Sequence, residues 1–124
     1  MKTALIILGH GSRAPEATET LAAVTEMVRT KTDYERVAYA SLQISKPGLE
    51  SVVGELVDAG MGKIMVLPFL IATGQHVKED IPNELAALRE KYPGVEMDLG
   101  KPLGADSRLA EILIERSAEM ERSN

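Results

Sequence analysis

Short apolar runs alternate along this chain with longer stretches in which apolar residues return every three or four positions. Ala4 to Leu8 is a continuous apolar run closed by Gly9, the pattern of a strand buried on both faces. Ala17, Leu21, Val24 and Val28 then share one helical face, and Pro15 stands where a first turn tolerates proline. Val37 to Leu42 reads as a second strand. Pro47 opens a second helix whose stripe is Leu49, Val52, Val53, Leu56 and Val57, closed by Gly60 and Gly62. Ile64 to Leu67 is a third buried strand, stopped by Pro68. Asp80 is placed to cap a third helix carrying Leu85 and Leu88, which ends at Tyr92-Pro93-Gly94. Val95 to Leu99 alternates in polarity, as an edge strand with one wet face does. A fourth helix runs from about Asp106, with Leu109, Ile112 and Leu113 inward, and frays after Met120.

The order βαβαβαβα, with no linker or repeat, predicts a single α/β domain over residues 1–124. Short connections and right-handed crossovers give a flavodoxin-like architecture, a four-stranded parallel sheet in the order 2-1-3-4 with helices on both faces. Two connections stand out. Gly9-His10-Gly11-Ser12-Arg13-Ala14 follows the first strand, and Phe69 to Glu79 follows the third. The second is long for a βα loop and oddly apolar for a solvated turn.

Composition narrows the chemistry. Aromatics are 3% of the 124 residues against 44% hydrophobic, so the core is built from aliphatic side chains and Met. There is no cysteine, which excludes disulfides, thiolate metal sites and thiol catalysis and suits a cytoplasmic protein. The first apolar run is too short for a signal peptide or a membrane span. A net charge of −5, no basic run and few aromatics for base stacking argue against nucleic acid as a partner.

The two histidines of the chain, His10 and His76, follow strands 1 and 3. In the order 2-1-3-4 those strands are neighbours, and the gap between their carboxyl ends is where open α/β sheets bind ligands. Glycines on both sides of His10 leave room for a large group to approach the backbone. Two imidazoles suit a late first-row divalent ion such as Co²⁺, Ni²⁺, Fe²⁺ or Zn²⁺, but a structural zinc site would want four ligands. An open site that holds a metal loosely fits better, and neutral imidazole can also take a proton. Gly9-His10-Gly11-Ser12 lacks the third glycine of a dinucleotide fingerprint and any Walker lysine. Arg13, Lys46 and Lys78 near the crevice serve equally as solvated surface or as clamps for carboxylates.

Three stretches resemble the small CbiX family, the short sirohydrochlorin chelatases of bacteria and archaea. They are Leu8 to Arg13, Leu67-Pro68 with Gly74 to Pro82, and Lys101 to Asp106. The resemblance implies an enzyme, a metal-inserting lyase of tetrapyrrole biosynthesis that delivers Co²⁺, Ni²⁺ or Fe²⁺ to sirohydrochlorin, cobaltochelatase being the first expectation. It implies a homodimer enclosing the macrocycle, with the metal as substrate and no permanently bound cofactor. His10 would be base and metal ligand, and His76 the second ligand. Ile71, Ala72, Thr73, Gly74, Gln75 and His76 would line the macrocycle, with Ser12 and Lys46 as further substrate contacts. Relatives commonly carry acidic residues after the second strand. Here Leu42-Gln43-Ile44-Ser45-Lys46-Pro47 has none, and the histidine-rich insert of some relatives is also missing.

Two other functions compete. A metal or tetrapyrrole carrier would use the same pocket without turnover, and the missing acidic residues favour it. A histidine phosphatase would need an arginine immediately before the nucleophilic histidine, where this chain has Gly9.

Overall fold

Four strands and four helices alternate along the chain in the computed structural model, which describes residues 1–43 and 45–123, without the side chain of His76. They are β1 (Thr3–Gly9), α1 (Pro15–Lys31), β2 (Arg36–Ser41), α2 (Leu49–Asp58), β3 (Lys63–Pro68), α3 (Gln75–Lys91), β4 (Glu96–Leu99) and α4 (Ser107–Arg122). All pairings are parallel, in the order β2-β1-β3-β4. β1 lies between β2 and β3, with Ile6 opposite Ala38 on one side and Val66 on the other. Its apolar run is continuous because it is covered on both faces.

Alternate residues of the sheet feed two cores. Ala4, Ile6, Leu8, Ile64, Val66 and Met97 join Leu49, Val53, Ile81 and Leu85 in the larger one, beneath α2 and α3. Leu5 and Ile7 join Leu21 in the smaller one beneath α1, with Val28, Val37, Tyr39, Met65 and Phe69 at its rim. β4 is an edge strand whose Met97 is buried while Glu96 and Asp98 are exposed. Arg89 reaches from α3 to donate Nε and Nη2 to the Met97 carbonyl, at 3.0 and 2.7 Å. Among the described residues no helix is long and apolar enough to cross a membrane.

Several boundaries differ from the sequence reading. β2 begins one residue earlier than Val37 and ends before Leu42. α2 starts at Leu49 with Gly48 as its cap, so Pro47 precedes the helix instead of opening it. α3 starts at Gln75, capped by Gly74 without a side-chain hydrogen bond. Asp80 is therefore inside α3 and caps nothing, and the connection after β3 is only Phe69 to Gly74, an ordinary length. Asp106 does cap α4, accepting the Arg108 N–H at 2.9 Å. The Arg108 guanidinium holds the Asp106 carboxyl well below its ordinary value. α4 itself is the largest departure. Ile112 and Leu113, expected inward, are 44% and 70% exposed, and no residue of α4 is buried.

The loops that leave β1 and β2 are held together at the carboxyl edge of the sheet. Leu42 N donates to Gly9 O at 2.9 Å and Gln43 N to His10 O at 3.2 Å, which extends the pairing past both strand ends. Ser12 N donates to Ser45 Oγ at 2.8 Å, and Ser45 Oγ donates back to Ser12 O. Gly11 makes this close approach possible. Its φ is +102°, and a Cβ there would overlap the carbonyl of Gln43. Gly11→Ala is expected to push the two loops apart and lower stability by about 1–3 kcal/mol, as a strained left-handed residue costs. Denaturant unfolding measures this, and an unchanged midpoint would show that the loops separate freely.

Candidate functional site

His10 is the first residue beyond β1, and its side chain is exposed where two cavities meet. The first, of about 410 Å³, opens on the α1 side of the sheet. Gly9, Gly11, Ser12, Ala17, Leu21, Ser41, Phe69 and Leu70 help to line it, and Glu16 is the carboxylate among its walls. Apolar walls and backbone dominate there, because the loop after β3 turns Phe69 under α1. Phe69 N donates to Leu8 O at 2.7 Å, which fixes that turn against β1.

The second cavity, of about 290 Å³, lies on the other side of the loop. His10 and Gln43 form one wall, and Val77, Asp80, Asn83 and Glu84 of α3 form the other, with Leu42 between them. This wall is polar and anionic. Partial burial pushes the Glu84 carboxyl above its ordinary value, and the charges of Glu50 and Asp80 add to the effect. A cation entering this space would relieve that repulsion, since opposite charge favours the ionised form. His10 thus has an apolar chamber on one side and a carboxylate-lined one on the other. Its Nδ1 is 3.4 Å from Gly11 O, too long to fix the ring strongly.

Of the residues singled out in the sequence, the structure brings His10 and Ser12 together in the first cavity. The His76 side chain lies outside the described residues, but its position is in the first turn of α3, beside Val77 of the second cavity. Ile71, Ala72, Thr73, Gly74 and Gln75 line neither cavity; Ile71 is 66% exposed at the rim, and Gln75 Nε2 donates to Glu79 Oε1 at 2.8 Å. Lys46 is exposed and lines neither cavity. The glycines around His10 answer to the chain's own packing. A Cβ on Gly9 would press Leu21 Cδ2 at 2.9 Å, and the space beside Gly11 is filled by Gln43. In the sequence Asp80 reads only as a helix cap, and Asn83 and Glu84 are not singled out, although positions 76, 80 and 84 are spaced four apart. Among the described residues no group of three His, Cys, Asp or Glu side chains gathers closely enough to hold an ion by itself.

The CbiX family model matches residues 4–120. A sirohydrochlorin ferrochelatase of Priestia megaterium is 33% identical, over 94% of this chain and 44% of its own length. A sirohydrochlorin cobaltochelatase of Methanopyrus kandleri is 32% identical, over 94% of this chain and 95% of its own length. Among solved structures, the sirohydrochlorin chelatase SirB from Bacillus subtilis subspecies spizizenii in complex with cobalt superposes with a TM-score of 0.88 at 32% identity, covering 96% of this chain and 51% of that one. The chain thus spans about half of some relatives and nearly all of others. With the match running from β1 into α4, and the shared identity reaching almost end to end, the chain belongs to the CbiX family.

Proposed function

We propose that this chain inserts a divalent metal ion into sirohydrochlorin, with His10 at the point of transfer. The observation that carries the reading is the two-sided setting of His10. A broad apolar ring suits the chamber lined by Ala17, Leu21, Phe69 and Leu70, and a cation suits the one lined by Asp80 and Glu84. Ring and ion meet only at the imidazole between them. Relatives that match nearly end to end bear the names sirohydrochlorin cobaltochelatase and, at about double this length, ferrochelatase, which supports the substrate and leaves Co²⁺ and Fe²⁺ as the first candidates. Ni²⁺ binds the same nitrogen donors, and availability selects among the three.

Insertion forms four metal–nitrogen bonds in the macrocycle and releases its two pyrrole protons. A base beside the ring nitrogens accepts them one at a time and passes each to solvent, and His10 takes that role. It binds the ion through the same nitrogen lone pair before the ring takes over, and His76 serves as the second ligand. Ser12, in the same cavity as His10, contacts the macrocycle, while Ile71 to Gln75 and Lys46 approach it from the rim. The ion passes through as substrate, so no resident cofactor is required.

The carrier reading rested on Gln43 and Lys46 standing where relatives have acids. Asp80 and Glu84 supply carboxylates to the very cavity that Gln43 lines, so the cation side is not short of negative charge. A chamber of about 410 Å³ open to solvent holds only part of a tetrapyrrole, which supports a homodimer covering the rest. We place the reaction in the cytoplasm, consistent with a chain free of cysteine.

His10→Ala should lower the rate of insertion by about 10²-fold or more while circular dichroism stays unchanged, the loss expected for a general base. The visible spectrum of sirohydrochlorin with Co²⁺ or Fe²⁺ follows the reaction, and an undiminished rate would remove His10 from the mechanism. With substrate and metal in excess over protein, many turnovers per chain are expected. A single stoichiometric complex would make the protein a carrier.

A further inference from the structure

Two cations without an acidic partner are brought to one rim of the chamber on the α1 side. Ser12 and Ser45 exchange hydrogen bonds between the loops that leave β1 and β2, and both line that chamber. The residue after each is basic. Arg13 follows Ser12 and Lys46 follows Ser45, so a guanidinium and an ammonium leave one clasped stretch of backbone. Both residues are exposed, and among the described residues neither forms a salt bridge.

Elsewhere Lys2, Arg29, Lys63, Lys91, Arg108 and Arg116 each lie within 4.0 Å of a carboxylate. With 19 acidic residues to 14 basic ones, a counter-charge is easily supplied, yet this rim has none. Glu16, the carboxylate in the walls of the chamber, bridges to neither cation. The like charges repel, and the serine clasp keeps their loops from parting. An anion at the rim relieves that repulsion. A carboxylate suits it well, since the planar fork of Arg13 can meet both oxygens while Lys46 adds a point charge. Below the rim the walls are apolar, through Leu21, Phe69 and Leu70. The ligand that fits has an apolar body and an anionic edge. Lys78 has no such place. It lies about three turns before Arg89 on the same flank of α3, and that flank faces β4, where Arg89 donates to Met97 O.

We infer that Arg13 and Lys46 together hold one peripheral carboxylate of the tetrapyrrole at the mouth of the α1-side chamber, and that this clamp selects rings with anionic edges. The inference rests on the metal-insertion reading for the identity of the ring and adds the residues that recognise its edge. A ring with only alkyl groups around it would fit the apolar walls equally well. It would leave both cations unpaired, so discrimination comes from the rim and not from the walls. Arg13 stands three residues after His10 in the same loop, which the bonds from Gln43 and Ser45 hold in place. One short segment of chain therefore carries both the group that grips the edge and the imidazole proposed to act at the centre.

Equilibrium binding of metal-free sirohydrochlorin to the whole chain, followed by the fluorescence of the ring, tests the clamp. Arg13→Gln and Lys46→Gln are each expected to raise the dissociation constant by about fivefold, as loss of a charge-assisted contact at an exposed site does. Lys78→Gln removes the same charge from the same end of the molecule and is expected to stay within about twofold of wild type. All three positions are exposed, and circular dichroism checks that each variant folds. In the insertion assay the two clamp variants should raise KM for sirohydrochlorin and leave kcat unchanged, a split that damaged structure would not give. A dissociation constant within about twofold of wild type for either clamp variant overturns the clamp. So does an equal loss in Lys78→Gln, or a fall in kcat in place of the rise in KM. A wild type that binds no sirohydrochlorin overturns the clamp together with the metal-insertion reading. The titration contains no metal, so the expected losses of binding in a chain that inserts none would overturn that reading alone.

Discussion

Parallel pairing of β1 with both β2 and β3 obliges the segments that leave those three strands to emerge along one edge of the sheet. The backbone then tightens that edge, since Leu42 and Gln43 donate to Gly9 and His10 and Phe69 donates to Leu8. The consequence is chemical. His10 is carried on a short segment fixed on both sides, with α1 above one flank and the start of α3 beside the other. Its position owes little to its own side-chain contacts and nearly everything to the strands beneath it. Catalytic groups at the carboxyl ends of parallel strands gain their precision in this way.

The environments that His10 separates differ for a reason rooted in the same sheet. The α1 side meets the small core through Leu21 and Phe69, so its chamber inherits apolar walls. The α3 side is bordered by a helix surface, and the first three turns of α3 present polar groups to it, among them Asp80, Asn83 and Glu84. In the proposed reaction a flat apolar ring and a hydrated cation use these separate approaches to one imidazole. Partial burial, with the charges of Glu50 and Asp80 adding to it, keeps the Glu84 carboxyl above its ordinary value.

Much of this was legible in the sequence because the signals were local. Continuous runs such as Ala4 to Leu8, five residues long and closed by Gly9, read as strands covered on both faces, and connection rules then leave few arrangements beyond 2-1-3-4. The start of α3 was not legible. Gly74 caps the helix without any side-chain hydrogen bond, so the acidic Asp80 attracted the cap position six residues too late. The glycines beside His10 were visible as special, yet their cause was hidden. Only the fold reveals that Leu21 and Gln43 fill the space a Cβ would need. α4 was a different failure. Periodicity identifies an apolar face but not the surface that covers it, and none of the described surfaces of the same chain does so. Asp80 and Glu84 were legible in principle, through a spacing of four that continues from His76.

The proposal that one ion touches both imidazoles is directly measurable, because the chain has two histidines. Two histidines give two imidazole spin systems in the ¹⁵N-labelled protein. Co²⁺ added below one equivalent should broaden the ring signals of His10 and His76 together and in proportion. Broadening of one ring while the other stays sharp at a full equivalent, or of neither, would contradict a shared metal site.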